Sequence, residues 1–211
     1  MKNSFKLFTF KGIPVYLKYW IFILLLFIPI NIFIYLFISI LIHELAHAYK
    51  ADKLGYNTSY IFLNIFHGGA LVDNLYLKND KHTISIALAG PLSNLFLSIF
   101  GIFLAATLLL TESLSKDSMI IENIGLFTYI NLFLFLINII PIYPLDGGRI
   151  SRSLFKIFFG KKSGILISSI LSITLSLVAL VYYSIFNLDF ILIVFSVISI
   201  LYTYQDLKND E

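Results

Sequence analysis

The sequence predicts an all-α polytopic membrane protein of about six transmembrane helices, with a small re-entrant β-strand insert after the second helix. Three observations carry that prediction. The 211 residues are 59% hydrophobic and only 13% charged, with a mean hydropathy of +0.91, whereas an ordinary soluble domain has about 25% charged residues. Apolar runs recur along the whole length, and each span needs roughly 20 apolar residues. The basic residues also segregate. With six spans drawn, every Lys and Arg except Lys116 falls on one side, which is the positive-inside pattern of a multi-pass cell-membrane protein with both termini cytoplasmic.

The elements follow in order. A first span covers about Ile13–Ile28, and the residues before it lack a small-residue cleavage pattern, so no removable signal peptide is read there. After Pro29-Ile30-Asn31, a second span covers about Ile32–Lys53, and Gly55 suits a helix C-cap. Residues Tyr56–Leu77 mix β-branched, aromatic and polar side chains around Gly68-Gly69, which reads as short strands about a glycine turn. Extended backbone is tolerated at a membrane only where protein buries it or water reaches it.

A third span covers His82–Leu110, followed by the polar loop Thr111–Ser118. A fourth covers about 121–140. Pro141, Pro144 and Asp146-Gly147-Gly148 then break the helix, and it resumes to about residue 160. The fifth and sixth spans are Gly164–Phe186 and Phe190–Tyr204, joined at Asn187-Leu188-Asp189. Together these make one transmembrane domain over 1–211, with no stretch left over for a sizeable soluble domain.

The chain has no cysteine, so a metal would be held by His, Asp or Glu. Within the second span stands Leu41–Tyr49, "LIHELAHAY". Three titratable groups in an apolar helix are costly, and an intramembrane ionisable group is by default functional. His43 and His47 are spaced i, i+4, so one helix face presents both to a single ion, and Glu44 stands where a general base is needed. A catalytic zinc site usually has a third protein ligand and one open position. Asp146 is the candidate, in the broken segment "NIIPIYPLDGGR", where paired glycines permit close approach. Leu-Asp-Gly-Gly is also ordinary turn chemistry.

With those residues in view the chain resembles the site-2 protease family of intramembrane zinc metalloproteases. The resemblance rests on "GIPVYL" near the N-terminus, HELAH, Gly68-Gly69-Ala70, "AGPLSN" and "NIIPIYPLDGG", in that order over nearly the whole chain. It points to the short, core-only prokaryotic members without PDZ or CBS domains. A composition rich in Ile, Asn, Phe and Lys and poor in Arg also suggests an AT-rich prokaryotic source.

The resemblance implies that His43, His47 and Asp146 bind Zn2+ and that Glu44 activates the attacking water. Asn138 is implied to sit near the site, as a support or a substrate contact. Gly68 and Gly69 are implied to belong to a re-entrant strand whose edge pairs with an unwound substrate. Asn94 reads either as a polar contact in the same cavity or as an interhelical hydrogen bond, and Asn131 as structural. His67, before the glycine pair, departs from the family pattern and is not read as a ligand. The implied partners are a transmembrane protein substrate and the lipid bilayer, with no nucleic acid.

Two alternatives stand against this reading. A prenyl-type membrane metalloprotease takes Glu as its third ligand. Here Glu112 and Glu122 fall on the predicted outer side and Glu211 is the C-terminus. A non-proteolytic metal-binding protein or transporter needs polar groups along a whole path, and the last two predicted spans offer little beyond Ser, Thr and Tyr.

Overall fold

The computed structural model describes residues 4–63, 69–72, 79–185 and 196–204. The chain is mostly helical with one small sheet, and it divides into two compact units: residues 1–75 with 89–136, and residues 76–88 with 137–211.

The first unit opens with β1 (Ser4–Phe10) and β2 (Ile13–Lys18), followed by a 3-10 helix (Tyr19–Leu26) and α1 (Ile30–Lys53). Strands β3 (Thr58–Leu63) and β4 (Gly69–Val72) come next. The sheet order is β1-β2-β3-β4, with β2 and β3 parallel and the other two pairs antiparallel. A parallel pair needs a long crossover, which the 3-10 helix and α1 supply. Gly12 turns the first hairpin at φ 83°, where a side chain is rarely tolerated.

The first span expected at Ile13–Ile28 is not an α-helix. Its first part is β2, and the 3-10 helix that follows has eight residues, about 16 Å at a rise of roughly 2.0 Å per residue. The cause is an alternation that hydropathy overlooks. Ile13, Val15 and Leu17 are buried while Pro14, Tyr16 and Lys18 are less so, a period of two that fits a strand. The segment still runs antiparallel to α1. Ile13 and Val15 pack near Ala48, and Leu17 and Ile21 pack near Phe33. Pairing with β1 and β3 satisfies the backbone groups that a helix would have bonded internally.

Helix α1 has 24 residues, about 36 Å at roughly 1.5 Å per residue, enough to cross a hydrocarbon core. One face (Phe33, Phe37, Leu41, Leu45, Ala48) packs on the sheet and the 3-10 helix. The other side carries Ser39, His43 and His47, all buried. Leu41 and His43 stand about 200° apart around the axis, so the sheet occupies one side and the histidines face away from it. The unit also holds residues 89–110 of α2 (Asp80–Leu110) and most of α3 (Met119–Ile139). These two helices approach closely at Gly101, where a Cβ would overlap the Thr128 side chain, as small residues allow in membrane helix packing.

In the second unit, α4 (Asp146–Phe159) and α5 (Lys161–Ile185) form a helical hairpin, and residues 196–204 are also helical. A Cβ on Gly164 would strike the Lys156 backbone, so the two helices pack closely there. Lys156 Nζ lies 2.6 Å from Asp80 Oδ1, with side chains only 13% and 27% exposed. Loss of a charge-assisted bond costs about 1.5–3 kcal/mol. Lys156→Ala is therefore expected to lower the thermal unfolding midpoint in detergent, with Asp80→Asn giving a similar loss and the double variant little more.

Among the described residues four helices are long and apolar enough to cross a membrane: Ile30–Lys53, Asp80–Leu110, Met119–Ile139 and Lys161–Tyr182. Part of the expected sixth span, and Gly68 and His67 of the insert, lie outside the described residues.

Candidate metal centre

The helical geometry of α1 brings His43 and His47 together on one face. Their rings are 4.7 Å apart between centroids and nearly perpendicular at 82°, and the two Nε2 atoms approach to 3.0 Å. Both residues are buried, as is Glu44 between them. Two nitrogens each about 2.0–2.1 Å from one zinc ion at a tetrahedral angle stand about 3.3–3.4 Å apart, so the pair is within a few tenths of an ångström of that spacing.

Two neighbours from α2 define the space around the pair. Asn94 Oδ1 lies 2.5 Å from His43 Nδ1, and Asn94 is fully buried. Of the two roles open to Asn94, the structure shows an interhelical hydrogen bond made to a site histidine. Gly90, one turn earlier, faces the histidines directly. A Cβ there would overlap both Nε2 atoms and His47 Cε1. The glycine thus keeps clear the side of the rings that carries their Nε2 atoms.

Asn131, read from the sequence as structural, makes an interhelical hydrogen bond. It is fully buried on α3 and accepts a hydrogen bond from Asn94 Nδ2 at 2.9 Å, so it belongs to the surroundings of His43. Gly90 is the neighbour of the histidine pair that sequence reasoning missed. The signal for Gly90 lay in "AGPLSN", one turn before Asn94.

Asp146 belongs to the second unit and is 6% exposed. The segment before it is not helical. Ile142 N–H bonds Ile140 O at 2.7 Å, and Leu145 N–H bonds Ile142 O at 2.9 Å. Helix α4 then starts at Asp146 itself. A Cβ on Gly147 would overlap the carbonyls of Ile139 and Ile140, and one on Gly148 the Ile142–Tyr143 backbone. Both glycines are therefore required by contact of the helix start with the preceding chain. A carboxylate in the first turn is favoured by the helix dipole by about 0.3–1 kcal/mol, and Arg149 Nη1 stands 3.8 Å from Asp146 Oδ1.

The segment leading to Asp146 is held at Tyr143. Its N–H donates to Ser172 Oγ at 2.9 Å, and its carbonyl accepts from Ser199 Oγ. Asn138 lies in the last turn of α3, partly buried, in the second unit. Gly69 opens β4 opposite Phe62. A Cβ there would strike the Phe62 ring, so the glycine lets that ring lie across its neighbour.

Residues 31–116 and 109–182 match the profile of peptidase family M50. A zinc metalloprotease of Methanocaldococcus jannaschii is 31% identical over 210 residues, covering 93% of this chain and 58% of that protein. A putative zinc metalloprotease of Bacillus subtilis is 30% identical over 162 residues, covering 61% of this chain and 73% of that protein. The solved structure of the site-2 protease from Methanocaldococcus jannaschii superposes with a TM-score of 0.69 at 27% identity, covering 97% of this chain and 95% of that one. The chain spans just over half the length, 58%, of the first of these relatives.

Proposed function

Because the chain belongs to peptidase family M50, we propose that it is an intramembrane zinc metalloprotease, a single transmembrane domain that hydrolyses peptide bonds in or near membrane-spanning segments of protein substrates. The observation that carries this reading is the His43–His47 pair. Its Nε2 atoms converge to 3.0 Å on a buried helix face beside Glu44. Zinc is the metal, and His43, His47 and Asp146 are its ligands. When bound, zinc polarises the scissile carbonyl and acidifies the attacking water.

The chain's own residues do the rest. Glu44 accepts the water's proton and returns it to the leaving amine. The Ser172 and Ser199 bonds to Tyr143 hold the segment leading to Asp146. Asn138 contacts the substrate or supports the site. Strand β4, the last in the sheet order, opens at Gly69 and offers an edge to an unwound substrate segment; this is β-augmentation. A membrane-protein substrate has to unwind locally, because an intact helix keeps its carbonyls hydrogen-bonded.

The expected orientation places both termini and the active site toward the cytoplasm, in a prokaryotic cell membrane. The distribution of basic residues supports it, as does the Lys11–Asp52 pair at 3.7 Å, which sets the first hairpin turn at the Lys-rich end of α1. The spans comprise the four long helices, the final helical segment and the β2 to 3-10 passage.

The test is cleavage of a model transmembrane substrate by the purified full chain in liposomes. Chelation is expected to abolish cleavage and added zinc to restore it. Cleavage indifferent to both contradicts the reading. Asp146→Ala is expected to weaken zinc binding by more than the roughly 10–100-fold lost with an outer-shell partner. Unchanged affinity in a chelator competition assay assigns the third ligand elsewhere.

A further inference from the structure

We propose that Asn131 and Asn94 form a polarised relay that fixes the proton of His43 on Nδ1, so that Nε2 is presented to the metal before any metal arrives. The proposal rests on the reading that His43 is a ligand and adds two positioning residues to it.

The argument is one of hydrogen-bond direction. The two ends of an asparagine amide are alike in shape, so its orientation has to follow from its partners. Asn131 faces the Phe127 carbonyl at 2.9 Å. A carbonyl only accepts, so Asn131 presents its NH2 there and turns Oδ1 toward Asn94. Asn94 answers with its own NH2, at 2.9 Å. The Ser39 carbonyl makes the same demand on that NH2 independently, at 3.4 Å. The Oδ1 of Asn94 is then the atom facing His43 Nδ1, and Nδ1 has to donate. A neutral imidazole has one N–H, so Nε2 carries the lone pair, and Nε2 is the atom that converges on His47.

Burial makes this polarity binding. Asn94 and Asn131 are 0% exposed and His43 is 6% exposed. Water does not compete, and a reversed amide would set two carbonyl oxygens against each other in a medium where unmade hydrogen bonds are costly. The relay draws on three helices: Ser39 and His43 from α1, Asn94 from α2, Phe127 and Asn131 from α3. Metal-bound histidines commonly donate their other N–H to an oxygen, which fixes tautomer and ring orientation. Here a second amide fixes the first.

The experiment is nitrogen NMR on the full chain with 15N-labelled histidine, stripped of zinc at neutral pH, with the His43 signals assigned by their loss in His43→Gln. The wild type is expected to carry the proton on Nδ1. Asn94→Ala is expected to release that preference and lower zinc affinity about 10–100-fold. Asn94→Asp still accepts from Nδ1 and is expected to restore the tautomer, while giving up the NH2 bonds to Asn131 and Ser39. A wild-type His43 protonated on Nε2 overturns the proposal, as does an Asn94→Ala chain with unchanged tautomer and affinity. A wild type that takes up no zinc contradicts the metalloprotease reading instead, and the tautomer of the metal-free chain still decides the relay.

Discussion

Glu44→Gln is expected to keep one zinc per chain and to lose cleavage by about 10²–10⁴-fold, the usual worth of a general acid–base group. Gln has nearly the same shape as Glu but cannot take a proton at neutral pH. It replaces a residue outside the proposed ligand set, so metal content should not move. Glu44 is buried on the same helix as both histidines, so an isosteric change disturbs the packing least. His43→Ala should lose metal and activity together. Metal analysis beside single-turnover cleavage separates the two behaviours. Normal cleavage by Glu44→Gln contradicts the assignment of Glu44 as the base.

Gly90→Ala is expected to abolish zinc binding while leaving the fold intact or slightly more stable. An alanine in a helix interior is ordinarily better than glycine by about 0.5–1 kcal/mol, so propensity alone predicts a mild gain. The local geometry predicts the opposite for the metal, because the added methyl falls on the Nε2 atoms of both His43 and His47. The overlap is with the ends of side chains, not with backbone. The rings can therefore swing aside and spare the fold, at the expense of the convergence on which the proposed zinc site depends. Zinc stoichiometry and thermal unfolding of the same preparation test both halves. Zinc binding equal to wild type contradicts the geometry assigned to the pair.

The parts of the candidate site that were legible in the sequence are those fixed by spacing along one helix or by a local break. His43 and His47 share a face because four residues make about one turn. Asp146-Gly147-Gly148 follows two prolines that no continuous helix accommodates, and the structure starts a new helix at Asp146. The surroundings of His43 were harder to read, because they depend on contacts between helices. Asn94 lies 51 residues from His43 and 37 from Asn131, and no periodicity within one helix announces such a pairing. Gly90 stood in "AGPLSN" without a role of its own, because the side chains it leaves room for belong to another helix.

Residues 13–28 show a different failure. Their summed hydropathy suggested a helix, but Ile13, Val15 and Leu17 alternate with less buried neighbours, and β3, the parallel partner that makes the alternation useful, begins only at Thr58. Summed hydropathy answered how apolar the stretch is and left its period unread.

The central claim is a zinc site built from His43, His47 and Asp146 in a membrane-embedded chain. X-ray absorption at the zinc edge, on the purified full chain loaded with one equivalent, tests it most directly. The predicted first shell has two imidazole nitrogens at about 2.0–2.1 Å, oxygen for the remainder and no sulfur, with one imidazole lost in His47→Gln. A chain that retains no zinc, or a first shell without two imidazoles, contradicts the account.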